Sequence, residues 1–186
     1  MKYFKQIAGK KCYLSPPALE DAALYCEWLN DLNVSRYLEP SFSLTVEEET
    51  EALKNLHKEN KIFGIHDVKT DKLIGSCGLH EIHTVNQTAM FGIFIGDASC
   101  WNKGIGTEAA TLCLDFAFNV LNLHTIYLYV YDYNKRAIAS YKKIGFLVSG
   151  KRREGRFFAG KRHDIIIMDI LRDEFTSPYV IPLGTN

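Results

Sequence analysis

The sequence predicts a mixed α/β fold, and three observations carry that prediction. Apolar residues recur at spacings of three and four over residues 105–120, which describes one buried helical face. Strand-like segments stand on both sides of that stretch. A glycine-bearing turn, Trp101-Asn102-Lys103-Gly104-Ile105-Gly106-Thr107, leads from the strand ending at Ile95-Gly96 straight into the helix.

The elements follow in order. A short strand at residues 11–14 is stopped by Pro16 and Pro17, after which Ala18, Ala22, Tyr25, Leu29 and Leu32 predict a helix over 18–32. Thr45, followed three places later by Glu48, is a capping signature for a second helix over 45–59. Strands at 62–68, 73–81 and 88–95 read as an antiparallel meander, the first two joined by the turn Lys69-Thr70-Asp71-Lys72. In the long helix, Ile105, Ala109, Leu112, Cys113, Phe116, Ala117 and Val120 form the buried stripe. Residues 124–131 alternate Ile126, Leu128 and Val130 with Tyr127, Tyr129 and Tyr131, so both faces are apolar and the strand is expected to be central. A helix over 134–144 turns Ala137, Ile138, Tyr141 and Ile144 inward and is ended by Gly145. Strands at 146–152 and 162–171 then flank a loop holding Gly155 and Gly160, and an irregular tail is expected over 176–186. That makes about seven strands and about four helices, expected to form a single domain over residues 1–186.

Composition narrows the function. The 186 residues are 47% hydrophobic, with 22 basic side chains balanced by 22 acidic ones, so a nucleic-acid partner is not expected. No run approaches the roughly 20 apolar residues of a membrane span, and the first eleven residues are polar, so the chain is expected to be cytoplasmic with no membrane partner. Cys12, Cys26, Cys77, Cys100 and Cys113 lack any CxxC spacing, which argues against a disulfide framework or a zinc site.

The turn before the long helix is the first candidate site. A helix starts with unpaired N–H groups and a partial positive charge, so an anion placed there is held by backbone donors. Glycines at 104 and 106 let phosphate oxygens approach where a Cβ would obstruct them. An ordinary strand-to-helix turn would also use such glycines. The spacing matches neither GxxxxGK[ST] nor GxGxxG, since position 109 is Ala, and this disfavours a kinase or an NAD enzyme.

Three ordered segments give the turn a context. WNKGIGTEA, NLHTIYLYV and NKRAIASYKKIGF resemble, in that order, the acetyl-CoA loop, the next strand and the following helix of the GNAT superfamily of acetyltransferases. The similarity runs over about residues 12–175, and WLNDLNVSRYLEP, VEEETEAL and GKRREGRFFAGKRHDIIIMDILRDEF resemble the branch of ribosomal-protein and spermidine N-acetyltransferases. One departure is Trp101, where the family's loop usually opens with Gln or Arg. The resemblance implies a sheet splayed where the strands at 88–96 and 124–131 meet. It implies acetyl-CoA as co-substrate, with the pantetheine arm paired to backbone around Phe94, Ile95 and Gly96 and the pyrophosphate on residues 101–107 (Trp101, Asn102, Lys103, Gly104, Ile105, Gly106 and Thr107). It further implies Asn134 hydrogen-bonded to the arm, Tyr141 beside the thioester sulfur, and a possible homodimer.

Acetyl transfer to an amine needs a neutral nucleophile, a polarised carbonyl and a proton for the departing thiolate. Tyr141 is the candidate general acid, with a core aromatic as its structural alternative. Asn134 also suits a helix N-cap. Glu81, at a strand end, is the candidate base, Asp97 another acid able to accept a proton, and a solvated carboxylate the plainer reading of either. His80 and His83 have HxxH spacing, yet on a regular strand they point to opposite faces, so no metal is expected. Cys113 is expected to pack rather than react. The run Glu47-Glu48-Glu49 with Glu51 reads as a solvated helix face that could also attract a cationic amine. The function expected is N-acetylation of a polyamine, another small amine or a protein N-terminal amine. The rival is a non-catalytic acyl-CoA sensor.

Overall fold

A computed structural model describes residues 3–39, 43–59, 61–176 and 179, with the side chains of 56–59 outside that description. Among the described residues thirteen α-helices and strands follow one another: β1 (Ile7–Ala8), β2 (Cys12–Ser15), α1 (Ala22–Asn30), α2 (Leu32–Ser35), α3 (Val46–Glu59), β3 (Lys61–Asp67), β4 (Leu73–His83), β5 (Thr88–Ile95), α4 (Ile105–Asn119), β6 (Thr125–Tyr131), α5 (Lys135–Ile144), β7 (Leu147–Phe158) and β8 (Lys161–Leu171). The strands form one sheet in the order β1-β2-β3-β4-β5-β6-β8-β7. All neighbouring pairs are antiparallel except β5 and β6, which run parallel.

The mixed α/β class is as the sequence predicts, with eight strands rather than seven because the two-residue β1 pairs with β2. The single helix expected over 18–32 is instead α1 and α2, broken at Asp31. That residue is extended (φ −76°, ψ 116°) and its carboxylate accepts the Asn33 amide, so the competing side-chain cap restarts the helix. The loop expected around Gly155 is strand: β7 continues through it, with an irregularity between Arg152 and Arg156 absorbing the surplus residues. The turn itself is Ala159-Gly160, both left-handed at φ 49° and 75°, as a two-residue hairpin requires. All but Thr176 and Tyr179 of the expected irregular tail lies outside the described residues.

Two cores lie on the two faces of the sheet. On one, the α4 residues Ala109, Leu112, Cys113, Phe116 and Ala117 meet Leu79, Phe91, Ile126 and Leu128. Burying each of the large side chains there stabilises the fold by roughly 1.5–3 kcal/mol. On the other face, Tyr25 and Trp28 of α1 and Leu53 of α3 pack with Leu73 and Phe94. Strand β5 serves both, since Phe91, Ile93 and Ile95 face α4 while Phe94 meets Tyr25 and Trp28 edge-on. The Thr45–Glu48 capping box is formed, with Glu48 accepting the Thr45 amide at 2.8 Å and Thr45 Oγ1 accepting the Glu48 amide at 3.2 Å. Among the described residues no helix is long and apolar enough to cross a membrane.

Candidate functional site

The sheet opens between β5 and β6. Their parallel pairing runs from Thr88↔Thr125 to Met90↔Tyr127 and stops there, although β5 continues to Ile95 and β6 to Tyr131. The backbone edge of β5 from Phe91 onward is thereby released from β6. Into this wedge opens a cleft of about 940 Å³ that takes in β5, the 100–107 turn, α5 and Tyr129 and Tyr131 of β6. Its size suits an extended cofactor together with part of a second substrate.

The turn at its open end has the conformation an anion cradle needs. Asn102 and Gly104 are left-handed (φ 61° and 77°), Gly104 is the N-cap of α4, and Gly104, Ile105, Gly106 and Thr107 all line the cleft. The first-turn N–H groups of α4 have no partner within the helix. A Cβ at Gly104 would come to 2.9 Å of Lys11 Nζ, whereas one at Gly106 would stand an ordinary 3.6 Å from Ile95. Lys11 Nζ also donates to the Lys103 carbonyl at 2.7 Å, bringing a positive charge to the turn.

Glu108, in the first turn of α4, anchors the cradle to the sheet edge. It accepts the amides of Lys10, Lys11 and Cys12 at 3.0, 2.6 and 2.9 Å and the Tyr179 hydroxyl at 2.9 Å. Burial alone would raise its carboxyl, but these donors outweigh burial and hold it below the ordinary range.

Trp101 takes a different part from a side-chain contact to a ligand. Its indole Nε1 donates to the Ile95 carbonyl at 2.8 Å, and its ring carries the Arg136 guanidinium at 4.5 Å. The Gly96 amide is engaged with Ile74, and a Cβ at Gly96 would collide with the Trp28 indole, so this glycine serves the packing of α1 as well as the strand end. The Phe94 side chain belongs to the second core, while Phe94 and Ile95 both line the cleft. The residues present fit a pyrophosphate-bearing ligand. The glycine cradle is open, Lys11 and Arg136 bring positive charge to the turn, and Glu39 is the one carboxylate among the described cleft-lining residues.

Helix α5 brings the next two candidates to the same cleft. Asn134 caps the helix, its Oδ1 accepting the Ala137 amide at 3.2 Å, which leaves its N–H donors for the cleft. Tyr141 meets Phe91 and Phe146 edge-on, with centroids 6.4 and 5.7 Å apart. Burial raises its phenol well above the ordinary value, so it stays protonated through neutral pH. Thr107 and Ser140 hydroxyls, 2.7 Å apart, join α5 to the first turn of α4.

Glu81 is not brought to this cleft. It is exposed, sits at φ 50° in a bulge of β4, and accepts the Tyr127 hydroxyl at 2.7 Å. The register shift between His80 and His83 breaks the strand period there: His80 lines the cleft, while His83 is exposed and accepts the Asn86 amide. Asp97 caps the short turn before Trp101 through the Ser99 amide. Cys113 is fully buried among core residues, and no group of three metal-binding side chains exists among the described residues.

Several cleft residues escape sequence reasoning. Val34, Tyr37, Leu38 and Glu39, from α2 and the turn after it, join Tyr129, Tyr131 and Arg152 in the lining. The Tyr131 and Tyr133 hydroxyls donate to the carbonyls of Leu38 and Arg36, fixing that segment over β6. The regular Tyr127-Tyr129-Tyr131 alternation was the available signal. Of the acidic run, Glu49 is buried rather than solvated, at 8% exposure.

Residues 11–147 match the family model for an acetyltransferase (GNAT) domain. This chain is a GNAT acetyltransferase. The family match and the splayed sheet with its glycine cradle make the GNAT chain an acyltransferase enzyme, an acetyl-CoA-dependent N-acetyltransferase, rather than a sensor. This GNAT enzyme is 31% identical over 170 residues to the spermidine N(1)-acetyltransferase of Escherichia coli K12, covering 91% of this chain and 90% of that one. It is 32% identical over 103 residues to the putative ribosomal N-acetyltransferase YdaF of Bacillus subtilis, covering 55% and 56%. Among solved structures it superposes with a TM-score of 0.81 and 28% identity on spermidine N-acetyltransferase from Vibrio cholerae in complex with CoA and spermine, covering 89% of this chain and 98% of that one.

Proposed function

We propose that the enzyme acetylates a primary amine of a small cationic molecule, with linear polyamines as the leading class. The observation that carries this reading is the continuity of one cleft from the glycine cradle, along the released edge of β5, to a mouth walled by Tyr37, Tyr129, Tyr131 and Glu39. Aromatic faces and a carboxylate suit an alkylammonium chain. The spermidine acetyltransferase relatives support the same class.

In this reading residues 101–107 and Lys11 hold the pyrophosphate, and the backbone of Phe94, Ile95 and Gly96 with the Asn134 amide orients the pantetheine arm. Acetyl-CoA, when bound, supplies an activated acetyl thioester. Tyr141 keeps a proton at neutral pH to give to the leaving thiolate, in a site from which Phe91 and Phe146 exclude water.

Acetyl-CoA is to be incubated with polyamines, other small primary amines and peptides with free N-termini, free thiol being read colorimetrically and products by mass spectrometry. Mono-acetylated polyamine is the expected product. Acetylation confined to the peptides would replace the polyamine assignment with a protein N-terminal one.

A further inference from the structure

The acceptor arrives as an ammonium ion, with a pKa near 10 for an alkylamine, and must lose a proton before it can attack. Glu81, the acid at the end of β4, lies outside the cleft. Its neighbour His80 lies inside it.

The position of His80 follows from the register. His80 pairs across strands with Met90, the last β5 residue that is still joined to β6, so it stands at the apex of the split. Its imidazole leans over the next residue on that face, Gly92, where a Cβ would approach Nε2 to 3.3 Å. Glycine at 92 therefore leaves room for the imidazole, which lines the cleft. Tyr141 reaches the same level from the opposite face, because its ring meets Phe91, the residue after Met90. Side chains of Met90 and Phe91 alternate across the strand, and His80 and Tyr141 accordingly flank the apex from the two sides.

We propose that His80 is the base that takes the proton from the acceptor ammonium, directly or through one water. The proposal rests on the N-acetyltransferase reading above and deepens it. In the step, an ammonium N–H proton passes to an imidazole nitrogen and the freed lone pair forms the bond to the acetyl carbon. The carbon–sulfur bond breaks, the departing thiolate takes the Tyr141 hydroxyl proton, and the acylated nitrogen gives its second proton to water, which leaves the neutral amide. His80 gains one proton and Tyr141 loses one, and exchange with water resets both.

Burial lowers the His80 pKa below the ordinary imidazole value, with Glu81 opposing it, so the ring is neutral at pH 7 and able to accept. The other ionisable groups of the cleft are Tyr37 and Glu39 after α2, Cys100 before the turn, Tyr129 and Tyr131 on β6, Arg136 and Tyr141 on α5, and Arg152 on β7. Tyr127, paired beside Met90, is held by Glu81. Because the folded pKa is lowered, the base works above it and fails as pH falls through it.

The test compares wild type with His80→Gln and His80→Asn, using the amine the wild type acetylates best and a second amine of different basicity. Melting curves and acetyl-CoA calorimetry are expected to match wild type, while kcat/KM falls about 10²-fold to 10⁴-fold at neutral pH, the range for a positioned base. The wild-type acid limb of kcat/KM is expected below the usual imidazole pH, at the same place for both amines, and to coincide with the NMR titration of the His80 ring. A limb that moves with the basicity of the amine means that neutral amine is drawn from solution, and it overturns the proposal. So does full activity in a folded His80→Gln or His80→Asn variant while the wild type turns over. A wild type that binds acetyl-CoA but acetylates no amine brings down the parent reading instead, and His80 with it.

Discussion

The indole N–H of Trp101 donates to the carbonyl of Ile95 at 2.8 Å, so the residue that opens the phosphate turn is tied back to the last residue of the strand before it. Trp101→Phe keeps the ring under Arg136 and removes that tie. A hydrogen bond of this kind is worth about 1 kcal/mol net, so acetyl-CoA affinity should weaken roughly 3-fold to 10-fold. Calorimetry on the folded variant checks this, and unchanged affinity would mean that the turn holds its shape without the tie.

Gly104 occupies the left-handed region at φ 77° where the cradle meets α4. Gly104→Ala should cost about 1–2 kcal/mol of stability through that backbone conformation, and acetyl-CoA binding should fall at least about 10-fold as the methyl enters the cradle. Gly106→Ala adds a methyl to the same cradle with only an ordinary 3.6 Å protein contact, so it should weaken acetyl-CoA binding without the backbone cost. Denaturation curves and calorimetry on both variants separate strain from lost binding.

Tyr141→Phe removes one oxygen and preserves the edge-on packing against Phe91 and Phe146. Single-turnover rates should drop about 10²-fold to 10⁴-fold with little change in acetyl-CoA affinity, the signature of a group that acts in the chemical step. Near-normal single-turnover rates would return Tyr141 to a packing role.

Burial at the start of α3 pushes the Glu49 carboxyl up to about 7. The folded value lies above the unfolded one, so folding prefers the protonated acid. The penalty is absent below the unfolded pKa of about 4.5, grows as pH rises to about 7, and is constant above that. Glu49→Gln should therefore stabilise the protein by ~2 kcal/mol at pH 8 and by much less at pH 4.5. Urea denaturation at the two pH values measures the difference, and equal gains at both would exclude a titration effect.

Much of the fold was legible along the chain because it is written in short-range signals. The Thr45–Glu48 box, the Asn134 cap and the Gly145 stop each act within four residues, and the strand–turn–helix order at 95–107 needs no remote partner. The break at Asp31 was less visible, since the apolar spacing runs through it and only the side-chain cap reveals it. Glu81 and His80 show the limit most sharply. His80 keeps regular register with Met90 and lines the cleft, whereas Glu81 begins a bulge, which period-two alternation cannot foresee.

The sequence by itself determined the α/β class, the glycine cradle at the head of α4 and the helix carrying Asn134 and Tyr141. Each depends on spacing and backbone chemistry that neighbours in the chain enforce. The tertiary structure alone decided where β5 leaves β6, which carboxylate of the acidic run is buried, and which side chains wall the acceptor mouth. Those outcomes join residues far apart in sequence, as Glu108 is joined to Lys10 across 98 positions and Tyr133 to Arg36 across 97. Such contacts are selected by the packing of whole layers, which no local pattern encodes.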